Sequence, residues 1–445
     1  MRRVVKVSRI RIIITIIVVV LTTLLTGCTG KEPNEIAYVV ALGIDSTDDD
    51  NYKITIQYAN TTQISGGASE SGGKAGSEIV DNVTIEAPNI YAGVGLANNI
   101  VSKSFSMSHA KLIVFSKEIA EKGVKDMIET LVRSEEIRPD VFIAVANTTA
   151  NDYLTSVNPE MEVNPAQYYQ LIYQKNQLVG IPDGQLREFF TGLYTDNYDS
   201  IFPVAGVIEG SGGNSQNEGS EGSSESLDSF ESKSSNEKDE NEKEKDAEKN
   251  TSKYEYDIKN YVGGETAIEK KNKAEAIGAA VFEKDKMVGE LGEVETEICK
   301  MLKGDYTYSY LTYYNNDTPD IPITVKTTQQ KKPKYKIDTD KKTVDIELYI
   351  ESDLYSLPSD YNVENKIEDF ERDVANYTSS ACTEFINNFT KKYNSDILKL
   401  NEKVKYKFLT NNQYNWFKKN VGWSKYKFSV CTNFKVRRTG LIVRK

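Results

Sequence analysis

Between Ile208 and Tyr254 only two large apolar side chains occur, Leu227 and Phe230. The rest of that stretch is Ser, Gly, Asn, Glu and Lys. Such a segment buries too little surface to offset the entropy of ordering it. Packed cores must therefore form on either side. The expectation is an N-terminal α/β region over 28–208, a disordered acidic linker over 209–262, and a C-terminal α/β region over 263–445. Residues 209–250 hold 13 acidic and 5 basic side chains, a net −8. The whole chain is −11, and −16 without residues 1–27, so half of that charge sits in one tract. This balance argues against a nucleic-acid partner, which calls for a basic patch.

The N-terminus reads as a processing signal. Five basic residues (Arg2, Arg3, Lys6, Arg9 and Arg11) precede an uncharged run from Ile12 to Leu25. That run ends in Leu25-Thr26-Gly27-Cys28. A basic start, a short apolar stretch and small residues at the exit make a secretory signal. This run of 14 residues falls short of the roughly 20 of a comfortable membrane span. An uncut anchor or an ordinary signal gives no reason for a thiol at the exit. The ending resembles the lipobox of bacterial lipoproteins, which implies cleavage after residue 27 and lipid attachment at Cys28. Two or three acyl chains hold a protein on a bilayer far better than one. The basic residues mark the cytoplasmic side, so the remaining chain is expected on the outer face.

Periodicity sketches the two regions. Ile36–Ile44 is a near-continuous apolar run, as in a strand buried on both faces. Strands are also expected at 54–58, from Val83, at 111–115 and at 141–146. Helices are expected over 88–101, opening at Pro88, and over 119–132, 165–177 and 183–190. In the second region, 277–282 and 286–290 flank Glu283-Lys284-Asp285 as a hairpin, and 293–302 is helical. A second hairpin joins 335–337 to 344–350. Helix 363–394 carries the stripe Ile367, Phe370, Val374, Tyr377, Ala381, Phe385 and Phe389, in steps of three and four. Residues 428–443 alternate like a terminal strand pair. The fold class is mixed α/β (α+β), in a multidomain chain with a long helix packed on a sheet.

Little here suggests catalysis. His109 is the only histidine. No Gly-x-Ser-x-Gly elbow accompanies it, so it reads as a packing or capping residue at a strand entry. The cysteines beyond Cys28 are Cys299, Cys382 and Cys431. They are odd in number and widely spaced, so neither a disulfide framework nor a zinc site is expected. Gly93 and Gly95 lack nucleotide-loop spacing and read as helix packing. Asp48-Asp49-Asp50 lacks the alternation of a calcium loop and reads as a polar turn. The 27 tyrosines cluster at Tyr168-Tyr169, Tyr306/Tyr308/Tyr310 and Tyr313-Tyr314. Cross-strand pairing is the simpler account of that spacing, and an exposed binding strip the other. No catalytic residue, metal or cofactor is expected.

Taken in order, several segments resemble the Ger(x)C spore germination proteins. They are the lipobox at Cys28, Glu35, Ala41-Leu42-Gly43-Ile44-Asp45, Ser108-His109-Ala110-Lys111, Arg133 and Glu136-Ile137-Arg138-Pro139. Beyond the tract come Gly278–Phe282, Lys284–Gly289, Glu295-Thr296-Glu297, Asn415-Trp416 and Arg437–Gly440. The resemblance covers most of residues 25–445 except 209–260. It implies three mixed α/β domains and a non-enzymatic, lipid-anchored C subunit of a nutrient germinant receptor. That subunit would sit on the outer face of the spore inner membrane beside integral membrane subunits, and contact with the nutrient stays open. The acidic tract departs from the family pattern. The alternative is a solute-binding lipoprotein of an uptake system, which also uses a lipobox. An enzyme of the cell envelope is the third and weakest reading.

Overall fold

The computed structural model describes residues 13–17, 35–49, 51–59, 80–159, 162, 164–174, 180–195, 197–208, 254–256, 260–266, 272–315, 318–356, 366–393 and 395–439. The chain opens with β1 (Ile36–Ser46), β2 (Tyr52–Ala59) and β3 (Val80–Ala87). Helix α1 (Ile90–Ala97), β4 (Ser104–Ser106) and β5 (Leu112–Ser116) follow. Then come α2 (Lys117–Lys122), α3 (Lys125–Val132), β6 (Phe142–Ala146), α4 (Ala150–Ser156), α5 (Pro165–Gln174), α6 (Leu186–Thr195) and β7 (Ile201–Val207). Strands β5 and β6 are buried along their whole length, as β-branched and aromatic runs are in a sheet covered on both faces.

Beyond the acidic tract lie β8 (Tyr254–Tyr256), β9 (Ala274–Glu283), β10 (Lys286–Leu291) and α7 (Glu293–Lys303). Next are β11 (Tyr308–Asn315), β12 (Thr318–Thr328), β13 (Lys334–Asp338), β14 (Thr343–Ser356) and the 26-residue α8 (Ile367–Lys392). The chain closes with α9 (Leu400–Val404), α10 (Asn411–Asn420) and β15 (Lys427–Arg438).

These strands gather in two sheets. The first runs β10-β9-β7-β6-β5-β1-β2-β3, with β4 beside β1. Its centre, β1, β5, β6 and β7, is parallel, and its edges are antiparallel. Side chains of α1, α2, α3 and α6 fill one face, and those of α4 and α5 the other. The sheet takes strands from both sides of the tract. Val207 lies opposite Ala274, so the ends of the intervening segment are held side by side.

The second sheet runs β13-β14-β12-β11-β8, with β15 parallel to β14. Helix α8 covers one face with Phe370, Val374, Thr378, Cys382, Phe385, Ile386 and Phe389. Its neighbour α7 and strands β9 and β10 share the same apolar core, which joins the two sheets. The other face of β14 carries Asp345, Glu347, Tyr349 and Glu351 toward solvent in the usual alternation.

Edge strand β15 is capped by a helix. Alternate backbone N–H groups of a strand point the same way, and at an edge they lack a strand partner. Here the N–H of Phe428 donates to Asn387 Oδ1 (3.1 Å), that of Val430 to Thr383 Oγ1 (3.0 Å), and that of Thr432 to Ser379 Oγ (2.9 Å). The Val436 N–H reaches Glu371 Oε1 at 2.8 Å. Residues 379, 383 and 387 are successive i,i+4 neighbours on one face of α8. A row of small polar side chains thus replaces a missing strand.

Three expectations need correction. Where the alternation predicts a strand pair over 428–443, 427–438 is one strand, laid parallel on β14, and 440–443 lie outside the described residues. Helix 119–132 is two helices, because Gly123 adopts φ +121° and the Val124 N–H turns away to the Asp285 carbonyl at 3.0 Å. The 88–101 helix begins at Ile90, where Asn89 and not Pro88 sets the start: its side chain accepts the Ala92 N–H at 2.9 Å.

Candidate functional site

Two carboxylates pin the first sheet to the C-terminal segment. Asp199 stands just before β7. Its Oδ1 accepts the N–H of Lys284, in the β9–β10 turn, at 2.8 Å, and its Oδ2 accepts the N–H of Asp396 at 2.8 Å. The Asp199 N–H donates back to the Asp396 carbonyl at 3.2 Å. Asp396 in turn accepts the N–H groups of Leu400 and Asn401, both at 2.8 Å, and so fixes the start of α9. Burial pushes the Asp396 carboxyl up to about 7 and raises Asp199 as well, since a carboxylate away from water is disfavoured. The backbone donors pull both the other way and do not prevail.

The surroundings of this pair are polar and cross the junction. Lys399 Nζ meets Glu188 Oε1 at 2.7 Å. Lys418 Nζ donates to the Thr195 carbonyl (2.9 Å) and to Asn197 Oδ1 (3.0 Å). Trp423 Nε1 donates to Asn401 Oδ1 at 3.3 Å. Between the two sides lies a cleft of about 610 Å³, whose walls include Tyr198, Glu283, Lys284, Asn415 and Lys419. Ligand-binding clefts span roughly 300–1,000 Å³, and this one falls within that range. A second, apolar cavity of about 50 Å³ lies between α7, α8 and the second sheet, walled by Met301, Tyr313, Cys382 and Glu297. It has room for little more than water. Burial raises the Cys382 thiol to about 12, and lowers the ammonium of Lys300, one turn beyond Glu297, to about 8.

The residues singled out in the sequence fall as follows. Cys28 lies outside the described residues. His109 is exposed, edge-on to Tyr38 with ring centroids 4.9 Å apart, and its Nδ1 is 3.2 Å from Ser108 Oγ. The pattern is one of packing at the entry to β5. Gly93 lets α1 approach β2: a Cβ there would stand 2.7 Å from Ile54 Cδ1. The Asp48-Asp49 segment is a turn closed by Thr47 Oγ1 on the Asp49 and Asn51 carbonyls, at 3.0 and 2.9 Å. Tyr168, Tyr169, Tyr306 and Tyr313 are core residues. Tyr308 and Tyr310 face outward, with Lys326 Nζ 4.3 Å above the Tyr308 ring and Tyr355 edge-on to Tyr310 at 5.2 Å. Cys299 and Cys382 are buried free thiols, and Cys431 is an exposed one.

A family model described as "Spore germination protein N-terminal domain" matches residues 30–207. A second, "Spore germination B3/ GerAC like, C-terminal", matches residues 277–440. The chain belongs to the Ger(x)C family of spore germination proteins. Among its relatives is spore germination protein KC of Bacillus subtilis (strain 168), 26% identical over 174 residues, or 36% of this chain and 42% of that one. Spore germination protein B3 of the same organism is 26% identical over 148 residues, 31% of this chain and 36% of the relative. The chain thus spans less than half the length of these curated relatives. A likeness to the crystal structure of the GerBC protein covers 89% of this chain and 96% of that one, with a TM-score of 0.48 at 14% identity.

In this Ger(x)C chain most of the segments that carry the resemblance hold the fold together. Gly43 leaves room for α4, since a Cβ would meet Leu154 Cδ1 at 3.0 Å and Ala150 Cβ at 3.1 Å. Asp45 caps α4 by accepting the N–H of Ala150 (2.6 Å) and of Asn151 (3.0 Å). Glu136 accepts the Met107 N–H at 2.7 Å, and Glu295 the Gly292 N–H at 3.1 Å. Gly289 admits the Tyr393 ring against β10. Trp416 differs: it sits on α10 with its ring in solvent. The junction leaves no local sequence signal, because Asp199 and Asp396 are 197 positions apart.

Proposed function

We propose that this chain is the C subunit of a nutrient germinant receptor. It is held to the outer face of the spore inner membrane by lipid on Cys28. It assembles with integral membrane subunits and senses or transmits the nutrient signal without catalysing a reaction. The observation that carries this reading is the ordered match of both family models along one chain, preceded by Leu-Thr-Gly-Cys. Among the described residues no helix is long and apolar enough to cross a membrane, so a lipid on Cys28 supplies an attachment that those helices do not.

The test is purification of the tagged chain from detergent-solubilised spore membranes, with Cys28→Ala in parallel and a clickable fatty acid as label. The receptor reading expects label on the wild type alone, with integral membrane subunits co-purifying. An anchored wild type that brings down transporter permeases refutes it. The junction cleft would then be the place to look for a transported solute, as a solute-binding lipoprotein requires.

A further inference from the structure

The large apolar side chains most exposed among the described residues are Leu409 at 95% and Tyr406 at 79%, followed by Trp416 and Ile100 at 69% each. Three of these four fall within eleven residues. Beneath them Phe408 packs on Tyr414 and Phe417, with centroids 5.9 and 4.8 Å apart, so the exposed rings and Leu409 project from a fixed base. The segment 399–427 that carries them holds eight lysines and a single acid, Glu402, in a chain whose net charge is −11. Lys405 and Lys418 flank the base, with Nζ 5.8 and 5.0 Å from the Tyr414 ring. Lys405, Lys407 and Lys419 are exposed. Trp, Tyr and Leu amid lysines is the chemistry of an acidic bilayer surface. The rings settle at headgroup depth while the ammonium groups meet lipid phosphates.

Topology puts this patch where a lipid anchor would bring the membrane. Strands β1, β5, β6 and β7 are parallel and so begin at one end of the first sheet. Asn197 lies just before β7, and Tyr414 and Lys418 of α10 bond to it at 3.2 and 3.0 Å. The patch is therefore at the end where β1 begins, eight residues after Cys28. Strands β1 and β7 are three steps apart in the sheet, roughly 14 Å. Eight residues reach at most roughly 27 Å.

We propose that Tyr406, Leu409 and Trp416, flanked by Lys405 and Lys419, dock this chain on an acidic phospholipid surface as a second contact beside the Cys28 anchor. The proposal rests on the anchored reading for its geometry. Docking fixes the receptor unit's orientation, with the start of the parallel strands toward the bilayer and β15 and the junction held at set heights.

The chain has two tryptophans, and Trp423 is buried, so Trp416 is the optical reporter. The mature lipidated protein is reconstituted on vesicles of phosphatidylcholine, with or without phosphatidylglycerol. Flotation reads the anchor. Acrylamide and brominated-lipid quenching, corrected with Trp416→Phe, read the patch. The expected result is flotation with both vesicles, and shielding of Trp416 from acrylamide with quenching by brominated lipid only where phosphatidylglycerol is present. A lysine near an acidic surface is worth roughly fivefold in partitioning. The pair Lys405→Glu and Lys419→Glu should therefore weaken docking roughly twentyfold or more while flotation persists. Flotation with Trp416 still open to acrylamide overturns the proposal and spares the anchor. Shielding and flotation on acidic vesicles alone refute the anchor and keep the patch. Equal shielding on neutral vesicles overturns the acidic surface. Shielding that appears only when integral receptor subunits are added makes the patch a protein interface and overturns it too.

Discussion

The row of side chains that α8 presents to β15 can be removed one bond at a time. Thr383→Val keeps shape and removes the acceptor of the Val430 N–H, at a site where Val430 is buried. Leaving one such donor without a partner costs about 1–3 kcal/mol. Asn387→Leu removes both bonds to Phe428, because Asn387 Nδ2 also donates to the Phe428 carbonyl at 3.0 Å, along with a third to the Thr383 carbonyl at 2.7 Å within α8. Phe428 is 1% exposed, so water cannot readily replace either partner, and the expected cost is about 2–4 kcal/mol. Both positions line the same strand, so the double variant need not be additive.

Set against a typical total of about 5–15 kcal/mol, the larger loss would be visible in any unfolding assay. A chain with two sheets need not unfold in one step, however, so the decisive readout is local. Native-state hydrogen exchange should show the Val430 amide losing protection in Thr383→Val, and the Phe428 amide in Asn387→Leu, with Thr432 the internal control. A bared edge strand also recruits other chains, so concentration-dependent light scattering should rise. Unchanged exchange at Val430 and Phe428 in both variants would mean that α8 merely lies beside β15, and the reasoning about the capped edge would be wrong.

Three further outcomes are expected. Gly289→Ala places a Cβ 2.2 Å from the Tyr393 hydroxyl, so the ring must leave β10, at about 1–3 kcal/mol measurable by thermal melting; an unchanged melting temperature refutes the contact. The Asp396 carboxyl sits near 7 in the folded chain against 3.8 in the open one, so the folded state holds an extra proton between these values and stability falls as pH rises through that window. The fall amounts to at most about 4 kcal/mol, and a pH series of urea midpoints that stays equally steep in Asp396→Asn counts against it. Deleting residues 209–250 should leave melting within a few degrees, because Val207 and Ala274 are already cross-strand neighbours and the connection closes a pair rather than holding one open; a collapse in stability refutes the spacer reading of the tract.

What the sequence made legible follows from range. Helix α8 announces itself by burial that is periodic over 26 residues, and strand β1 by a near-continuous apolar run; both patterns survive translation into a string. Strand β7 does not, since Pro203 breaks the look of a strand; the fold tolerates it beside an irregularity between Pro203 and Ala205 in the pairing with β9. Helix α4 is seven residues long, too short to show a period, and besides its local cap Thr149 it leans on Asp45, 105 positions earlier. Summed charge hid the lysine-rich segment, because the acidic tract outweighs it in any total taken over the chain. A running charge window over 399–427, read with Leu409 and Trp416, was the available signal.

The same range argument bears on how the parts cooperate. An apolar core joins the two sheets, and at its edge the buried carboxylates of Asp199 and Asp396 tie the first sheet to the C-terminal segment. The Asp199–Asp396 pair spans 197 positions, and Gly289 meets Tyr393 across 104. The segment from 395 to 423 makes these junction contacts on one side and bears the exposed Tyr406, Leu409 and Trp416 on the other. From that segment a chain of contacts runs through α9 and Asp396 to Asp199, and from Asp199 to the turn that holds Lys284. If the patch seats on lipid, the segment 395–423 lies between the membrane and the first sheet. The Asp199–Asp396 contact then links the docked segment to the first sheet, and Asp396→Asn should flatten the pH dependence of stability while leaving patch docking in place.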